Sequence, residues 1–497
     1  MVSKVLSSSY IGIESYILEV EADIMAGLPS FNIVGLADVA ISESKERVRA
    51  AIKNSGYEVP ARRIVINLSP AGIRKEGASF DLPIAIGILA SLGEVENKKL
   101  KKYIVLGELS LNGDIRKIDG AINSVICAKE NEIFGVILPR ENYLEASVIK
   151  GVEIIPVDNL VQVVQFLNDK IEIESPKAEE KKEGEDYSVD FKEVKGQVQA
   201  KRCIEIAAAG GHNFYMIGTP GAGKSMLAKR LPTILPPMSE GEIIESTKIY
   251  SSTGLLTKDI PIIDKRPFRS PHHSSSMVSI VGGGRVPKAG EVSLAHNGVL
   301  FLDEVTEFPR MVLETLRQPL EDKKVSITRA EYRVEMPADM VLIMASNPCP
   351  CGNLFENRCS CSLSQINRYQ HKISGPLLDR IDLYLEIKKL SRSELASYEE
   401  GERSVKIRER VEKARKIQWE RFGSSKINGN MTPKEIKKYC KLDDKSKKVL
   451  IDSIDIFGLS GRSYDKVLKV GRTIADLEGS KNIELSHIME ALSYRKK

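Results

Sequence analysis

The segment Gly218-Thr219-Pro220-Gly221-Ala222-Gly223-Lys224-Ser225 carries the residue types that bind phosphate. Its glycines let the backbone turn N–H groups inward around an anion. Lys224 would reach the β- and γ-phosphates of a nucleotide, and Ser225 would bind Mg²⁺. The apolar run Phe214-Tyr215-Met216-Ile217 precedes the segment, and a helical stretch from Met226 to Leu231 follows it. That strand–loop–helix context is what the phosphate-loop motif requires, against the bland alternative of a glycine-rich turn. The helix N-terminus adds the positive end of its dipole. A second apolar run, Val299-Leu300-Phe301-Leu302, ends in Asp303-Glu304. A parallel strand delivers such acids to the carboxyl edge of the sheet, beside the phosphate loop. There Asp303 would hold Mg²⁺, largely through water, and Glu304 would polarise the attacking water. A third run, Met340-Val341-Leu342-Ile343-Met344-Ala345, ends in Ser346-Asn347. The Asn347 amide could reach the γ-phosphate or the water, although Asn after a strand is commonly a turn residue.

Four of the seven cysteines, Cys349, Cys351, Cys359 and Cys361, fall close together. Four thiolates suit tetrahedral Zn²⁺, and such a site would be structural because no coordination position stays open. The usual ligand spacing is Cys-x-x-Cys, whereas this chain has Cys-x-Cys twice, so reduced, unliganded thiols are the alternative. Cys127, Cys203 and Cys440 are isolated and are expected to be buried. His272 and His273 are adjacent, which disfavours joint binding of one metal and leaves polar loop or DNA contacts.

These groups need a parallel sheet to position them. Residues 191–390 alternate apolar strand-like runs with helical stretches, the pattern of an α/β/α core. Before them, 1–170 mix both element types. Arg63–Leu68, Tyr103–Leu106 and Gly135–Pro139 read as strands, and Ser42–Ser55 has helical spacing with Val48, Ala51 and Ile52 on one face. Residues 171–190 carry a net charge of −5 and few large apolar groups, which predicts a flexible acidic linker. From 391 to 497 the chain reads as helical, and Thr432-Pro433-Lys434-Glu435 forms a capping box. At 497 residues the length suits about three domains. Apolar residues at 42% and charged residues at 28% exclude a disordered or fibrous chain. The longest nearly apolar run, Leu82 to Gly93, falls short of the ~20 residues of a spanning helix. A cytoplasmic protein with no membrane attachment and no disulfide framework is expected.

The three strand-end motifs together resemble a AAA+ ATPase of the magnesium-chelatase-like branch. The resemblance implies that Asn347 is sensor 1. It also implies that Arg380, in Leu377-Leu378-Asp379-Arg380-Ile381-Asp382, is an arginine finger entering a neighbouring subunit. Arg462, in Leu459-Ser460-Gly461-Arg462, is then sensor 2 on a helical lid. Without the family, either arginine reads as an ordinary surface ion pair. Arg266-Pro267-Phe268-Arg269-Ser270-Pro271-His272-His273, Gly290-Glu291-Val292-Ser293-Leu294-Ala295-His296-Asn297-Gly298 and Asn347-Pro348-Cys349-Pro350-Cys351-Gly352 resemble the ComM (YifB) family over nearly the whole chain. That family implies a hexameric, ATP- and Mg²⁺-dependent helicase promoting branch migration during natural transformation. Its implied partners are single-stranded or branched DNA and recombination proteins. Lys75-Glu76-Gly77-Ala78-Ser79 and Gly107-Glu108-Leu109-Ser110-Leu111-Asn112-Gly113 resemble Lon-type Ser–Lys proteases, implying an α+β, ribosomal-S5-like domain over 1–170. Ile122 occupies the position of the Lon lysine, so Ser79 would lack its proton acceptor and no peptidase activity is expected.

The net charge of +5 hides a net +8 over 391–497. Arg403, Lys406, Arg408, Arg410, Lys413, Arg415 and Lys416 crowd one helical stretch. They are either a solvated face or sequence-independent phosphate contacts. Lys323, Lys324 and Arg329 lie in a segment resembling a pore-facing hairpin, where they would track a DNA backbone. A motor acting on DNA is the leading expectation. A protein-remodelling chaperone of the metal-chelatase motor type is the alternative, with an ATP-dependent protease as a third.

Overall fold

Inward apolar residues alternate with outward polar ones along the N-terminal strands. β4 (Arg63–Ser69) shows the period of two: Ile64, Ile66 and Leu68 are buried and the residues between them are not. In the computed structural model, β4 joins β1 (Ser3–Ile11), β2 (Glu14–Met25), β3 (Ser30–Val34), β5 (Tyr103–Val105), β6 (Gly135–Pro139) and β7 (Glu153–Val157). Their order is β3-β4-β2-β1-β5-β6-β7. The structure describes residues 2–36, 38–71, 75, 77–176, 187–329, 333–356, 358–390, 400–457 and 460–495. β1, β2 and β4 pair antiparallel, and the remaining neighbours pair parallel. The expected helix runs Val39–Asn54, with Val48, Ala51 and Ile52 inward and the Asp38 carboxylate capping its start. The apolar run from Leu82 forms the core helix Asp81–Leu92, which ends at Gly93 in the left-handed region (φ +87°). Among the described residues, no helix is long and apolar enough to cross a membrane.

The chain divides into two compact units. The first comprises Met1–Lys181, Glu240–Asp264 and Val286–Lys288; the second comprises Lys182–Ser239, Lys265–Arg285 and Ala289–Lys497. The stretch 240–264 thus leaves the 191–390 region to which its sequence position assigns it. Contacts inside the first unit explain why. Ile244 on the helix Glu240–Ser252 packs against the apolar cluster of Ile104, Ile122, Val125 and Leu138. The Ser251 hydroxyl donates to the buried Glu145 carboxylate at 2.6 Å, and the Ser251 carbonyl accepts from Gly120 N–H at 3.1 Å. The acidic stretch 171–190 is anchored at both ends: Ile171 and Ile173 pack on the first core, and Asp190 caps the turn at Phe191. Residues 177–186, its most acidic part, lie outside the described residues.

The second unit is built on β8 (Phe214–Gly218), β9 (Phe268–Arg269), β10 (Val299–Leu302), β13 (Val341–Ser346) and β14 (Leu383–Ile387), with the hairpin β11 (Lys324–Thr328) and β12 (Arg333–Pro337) beside the sheet order. The sheet is wholly parallel in the order β9-β10-β13-β8-β14. The helices Ser404–Phe422, Pro433–Tyr439 and Gly461–Leu477 follow, the second opening on the expected capping box of Thr432 and Glu435. They share one core with the sheet, since Ile407, Val411 and Ile474 join the cluster of Phe214 and Ile343. Residues 391–399 and Leu459 lie outside the described residues.

A buried carboxylate ties these helices together. Asp476, fully shielded, accepts from Arg421 Nη1 at 2.8 Å, Arg472 Nε at 3.1 Å and Asn428 Nδ2 at 2.8 Å. Asp476→Ala would leave two poorly exposed guanidinium groups without a counter-charge. We expect the unfolding free energy of this region to drop by about 3–5 kcal/mol, read as a lowered calorimetric transition.

Candidate active site

β10, β13 and β8 are neighbours in register, with Leu302 opposite Met344 and Met216 opposite Ala345. Their carboxyl ends therefore deliver the phosphate loop, Asp303 and Asn347 to one edge. Within the loop, Gly221 (φ +77°) and Gly223 (φ +91°) hold backbone conformations closed to most side chains. The helix Lys224–Ala228 begins directly after it. The Lys224 ammonium is largely buried and donates to the carbonyls of Gly218 at 2.6 Å and Thr219 at 3.2 Å and to Asn347 Oδ1 at 3.2 Å. Burial lowers its pKa, and the nearby Asp303 and Glu304 carboxylates oppose that shift. The Ser225 hydroxyl donates to Asp303 Oδ2 at 2.6 Å. A hydroxyl beside a carboxylate is the all-oxygen donor set that suits a hard divalent cation.

Glu304 sits next to this pair in the left-handed region (φ +48°), and its N–H donates to Asp303 Oδ1 at 2.9 Å. Non-glycine residues in that region are uncommon and cluster at functional sites. The Glu304 side chain is 58% exposed, and His273 Nδ1 lies 3.7 Å from its carboxylate. The His273 ring also stacks on His272, with centroids 4.0 Å apart. Sequence reasoning missed this contact. No local pattern signals it, because it follows from strand order: β9 neighbours β10, so residues just past Arg269 arrive beside Asp303-Glu304.

The four clustered cysteines come together. Their sulfur atoms all lie within 4.8 Å of one another. Cys349 Sγ is 3.4 Å from Cys351 Sγ and 3.6 Å from Cys359 Sγ. Zn–S bonds of ~2.3 Å in a tetrahedron require sulfurs about 3.8 Å apart, so the set fits that ion despite its Cys-x-Cys spacing. Backbone donation from Asn353 and then Ser360 pulls the Cys351 thiol down to about 6. Cys127, Cys203 and Cys440 are buried, as expected.

Two predicted arginines stand apart from Lys224. Arg380 pairs with Glu321 and donates to the Pro376 carbonyl at 2.6 Å. Arg380 and Arg462 line one cavity of about 460 Å³, together with Glu321, Asp382 and Lys466; Lys224, Asp303 and Glu304 are not in its wall. In the first unit Ile122 is fully buried in an apolar cluster. The Lys75 ammonium is buried and donates to the carbonyls of Gly35 and Pro70. Glu76 lies outside the described residues.

Several residues of the basic runs are engaged internally. Arg408 donates to the Thr233 carbonyl, Arg415 to the Ala208 carbonyl, and Arg410 pairs with Glu205 and Glu402. The solvated-or-phosphate alternative for this helix therefore resolves, at those three positions, into structural contacts that hold it to its own unit. Lys323 pairs with Asp339 at 3.0 Å, Lys324 with Glu335 at 2.7 Å, and Arg329 donates to the Gly284 carbonyl at 3.3 Å. The two lysine pairs are partly exposed, so they are weak and exchangeable.

Comparison with known proteins agrees with this geometry. The family described as "Magnesium chelatase, subunit ChlI" matches residues 190–395, "Subunit ChlI of Mg-chelatase" matches 20–142, and "Magnesium chelatase, subunit ChlI C-terminal" matches 401–495. The chain is 42% identical to "Competence protein ComM" of Haemophilus influenzae, over 99% of this chain and 97% of that protein. It is 42% identical to YifB of Salmonella typhimurium, an uncharacterized protein, over 98% and 95% of the two chains. A Lon protease of Trichlorobacter lovleyi is 26% identical over 33% of this chain and 21% of its own.

Glu304→Gln keeps the shape of the side chain and removes its charge. We expect turnover to fall by about a hundredfold or more while ATP affinity stays unchanged, measured by phosphate release and by equilibrium nucleotide binding.

Proposed function

The chain belongs to the ComM/YifB family of magnesium-chelatase-like AAA+ proteins, and we propose that it is an ATP- and Mg²⁺-dependent ring motor that acts on DNA. The observation that carries the reading is the convergence of Lys224, the Ser225–Asp303 pair and Asn347 on one sheet edge. Lys224 gives up carbonyl partners for phosphate oxygens and so regains charge compensation in a site that has desolvated it. Ser225 and Asp303 would hold Mg²⁺, which would supply positive charge to offset that of the phosphates. Glu304 orients or deprotonates the attacking water, and Asn347 holds the γ-phosphate side of the site. The cysteine set Cys349, Cys351, Cys359 and Cys361 holds structural Zn²⁺.

Arg380 completes the site of a neighbouring copy in a homohexamer, and Arg462 acts as sensor 2 on the helical lid. Their shared cavity, apart from the chain's own Lys224, supports that reading. An arginine supplied in trans contributes orders of magnitude in rate and makes hydrolysis depend on assembly. The competence name of the Haemophilus influenzae relative supports DNA as substrate; branch migration during integration of transforming DNA is the process that the family resemblance implies. The hairpin lysines Lys323 and Lys324 would exchange their acidic partners for phosphates of single-stranded or branched DNA. The chelatase family descriptions favour one competing reading, an ATP-driven remodeller of protein.

Two experiments test the proposal. ATP hydrolysis measured against single-stranded, duplex and branched DNA should rise with single-stranded or branched DNA and lose that response at high salt; a flat response across the panel would favour the protein remodeller. Arg380→Ala should bind ATP, assemble and lose hydrolysis. Mixing it with Lys224→Ala subunits should restore part of the activity, and no recovery at any mixing ratio counts against shared sites.

A further inference from the structure

Resting on the reading of the four thiols as Zn²⁺ ligands, we infer that the metal centre braces the phosphate loop, so that metal loading sets nucleotide affinity. The ligands come from two places beside the site. Cys349 and Cys351 directly follow Asn347 at the end of β13, and Cys359 and Cys361 directly precede the helix Leu363–Gln370. Between them the described residues hold one short 3-10 turn, Leu354–Glu356. A stretch with so little ladder hydrogen bonding depends on a cross-link for a single conformation, and a metal that closes the loop supplies it.

The first cysteine turn touches the nucleotide loop itself. Gly352 is in the left-handed region (φ +79°), and its N–H donates to the Cys349 carbonyl at 3.0 Å. A Cβ on Gly352 would lie 2.7 Å from both Cγ and Cδ of Pro220, inside van der Waals contact. The backbone of the turn is therefore the wall against which Pro220 rests. The same turn is tied on its other sides. Gln370 Nε2 donates to the Pro348 carbonyl at 3.1 Å, and Asn347 accepts from Lys224 at 3.2 Å. With the ion in place the wall is fixed before nucleotide arrives. Without it the turn and Pro220 gain conformations, and binding has to order them at a cost in affinity.

The test uses the full-length protein. Elemental analysis of the purified wild type should find one zinc per chain, and the Cys351→Ser/Cys359→Ser double variant should have none. Equilibrium titration with a fluorescent ATP analogue should show the double variant binding at least about tenfold more weakly, a shift of about 1.4 kcal/mol. Gly352→Ala should keep its zinc and still bind nucleotide more weakly, because the added methyl pushes on Pro220. This second variant carries the test if the double variant fails to fold. Cys440→Ser, distant in sequence from the cluster, should match wild type in both readouts. A wild type without zinc overturns the metal reading and the brace with it. Zinc loss with unchanged nucleotide affinity leaves the metal reading standing and overturns the brace. Wild-type affinity in zinc-loaded Gly352→Ala overturns it too.

Discussion

The register of three parallel strands is the constraint on which the proposed nucleotide site depends. β8, β13 and β10 are hydrogen-bonded side by side, so Gly218, Ser346 and Leu302 reach the sheet edge together. A slip of one residue in β13 would turn Asn347 to the opposite face and remove its contact with Lys224. The apolar side chains that hold this register are the same ones that seat the C-terminal helices, because Phe214, Ile343 and Ile474 belong to one cluster. Packing of the helices and placement of Lys224, Asp303 and Asn347 are therefore one energetic problem. Glu304 takes its left-handed conformation just past a strand that is paired on both sides.

Much of this was legible in the sequence, for a physical reason. The phosphate loop and the strand-end acids are local patterns: a few consecutive residues determine backbone shape, and a buried strand announces itself by composition. The helix Val39–Asn54, the strands Arg63–Ser69 and Gly135–Pro139 and the capping box at Thr432 were readable on the same grounds. What escaped is what the tertiary fold decides. The approach of His273 to Glu304 depends on strand order, which no window of sequence contains. The Cys-x-Cys spacing looked unfavourable because it departs from the usual Cys-x-x-Cys; the fold nevertheless brings all four sulfurs within 4.8 Å of one another.

Charge was the least transparent property. A run of cations along the helix Ser404–Phe422 has the same appearance whether it faces solvent, a polyanion or the protein's own carbonyl groups. Arg408 and Arg415 donate to the backbone carbonyls of the buried Thr233 and Ala208, and Arg410 neutralises Glu205 and Glu402. Net charge counts residues, whereas binding surface depends on which of them already have partners. Lys323 and Lys324 differ in kind, since their acidic partners, Asp339 just past the ribbon and Glu335 on it, are partly exposed and can be displaced.

The stretch Glu240–Asp264 has a consequence for how the protein can be dissected. It lies in sequence between the phosphate loop and Asp303, yet it supplies Ile244 and Ser251 to the core of the N-terminal unit. That unit is accordingly discontinuous in sequence. A fragment ended at the acidic stretch would retain every strand of the first sheet but uncover the Glu145 carboxylate and the apolar face beside Ile122. Proteolytic nicking between 177 and 186 would, for the same reason, cut the chain without releasing a complete N-terminal unit. The boundary most visible in the sequence is a break in composition; the folding unit closes only after the chain has passed through its first nucleotide-binding strand and come back.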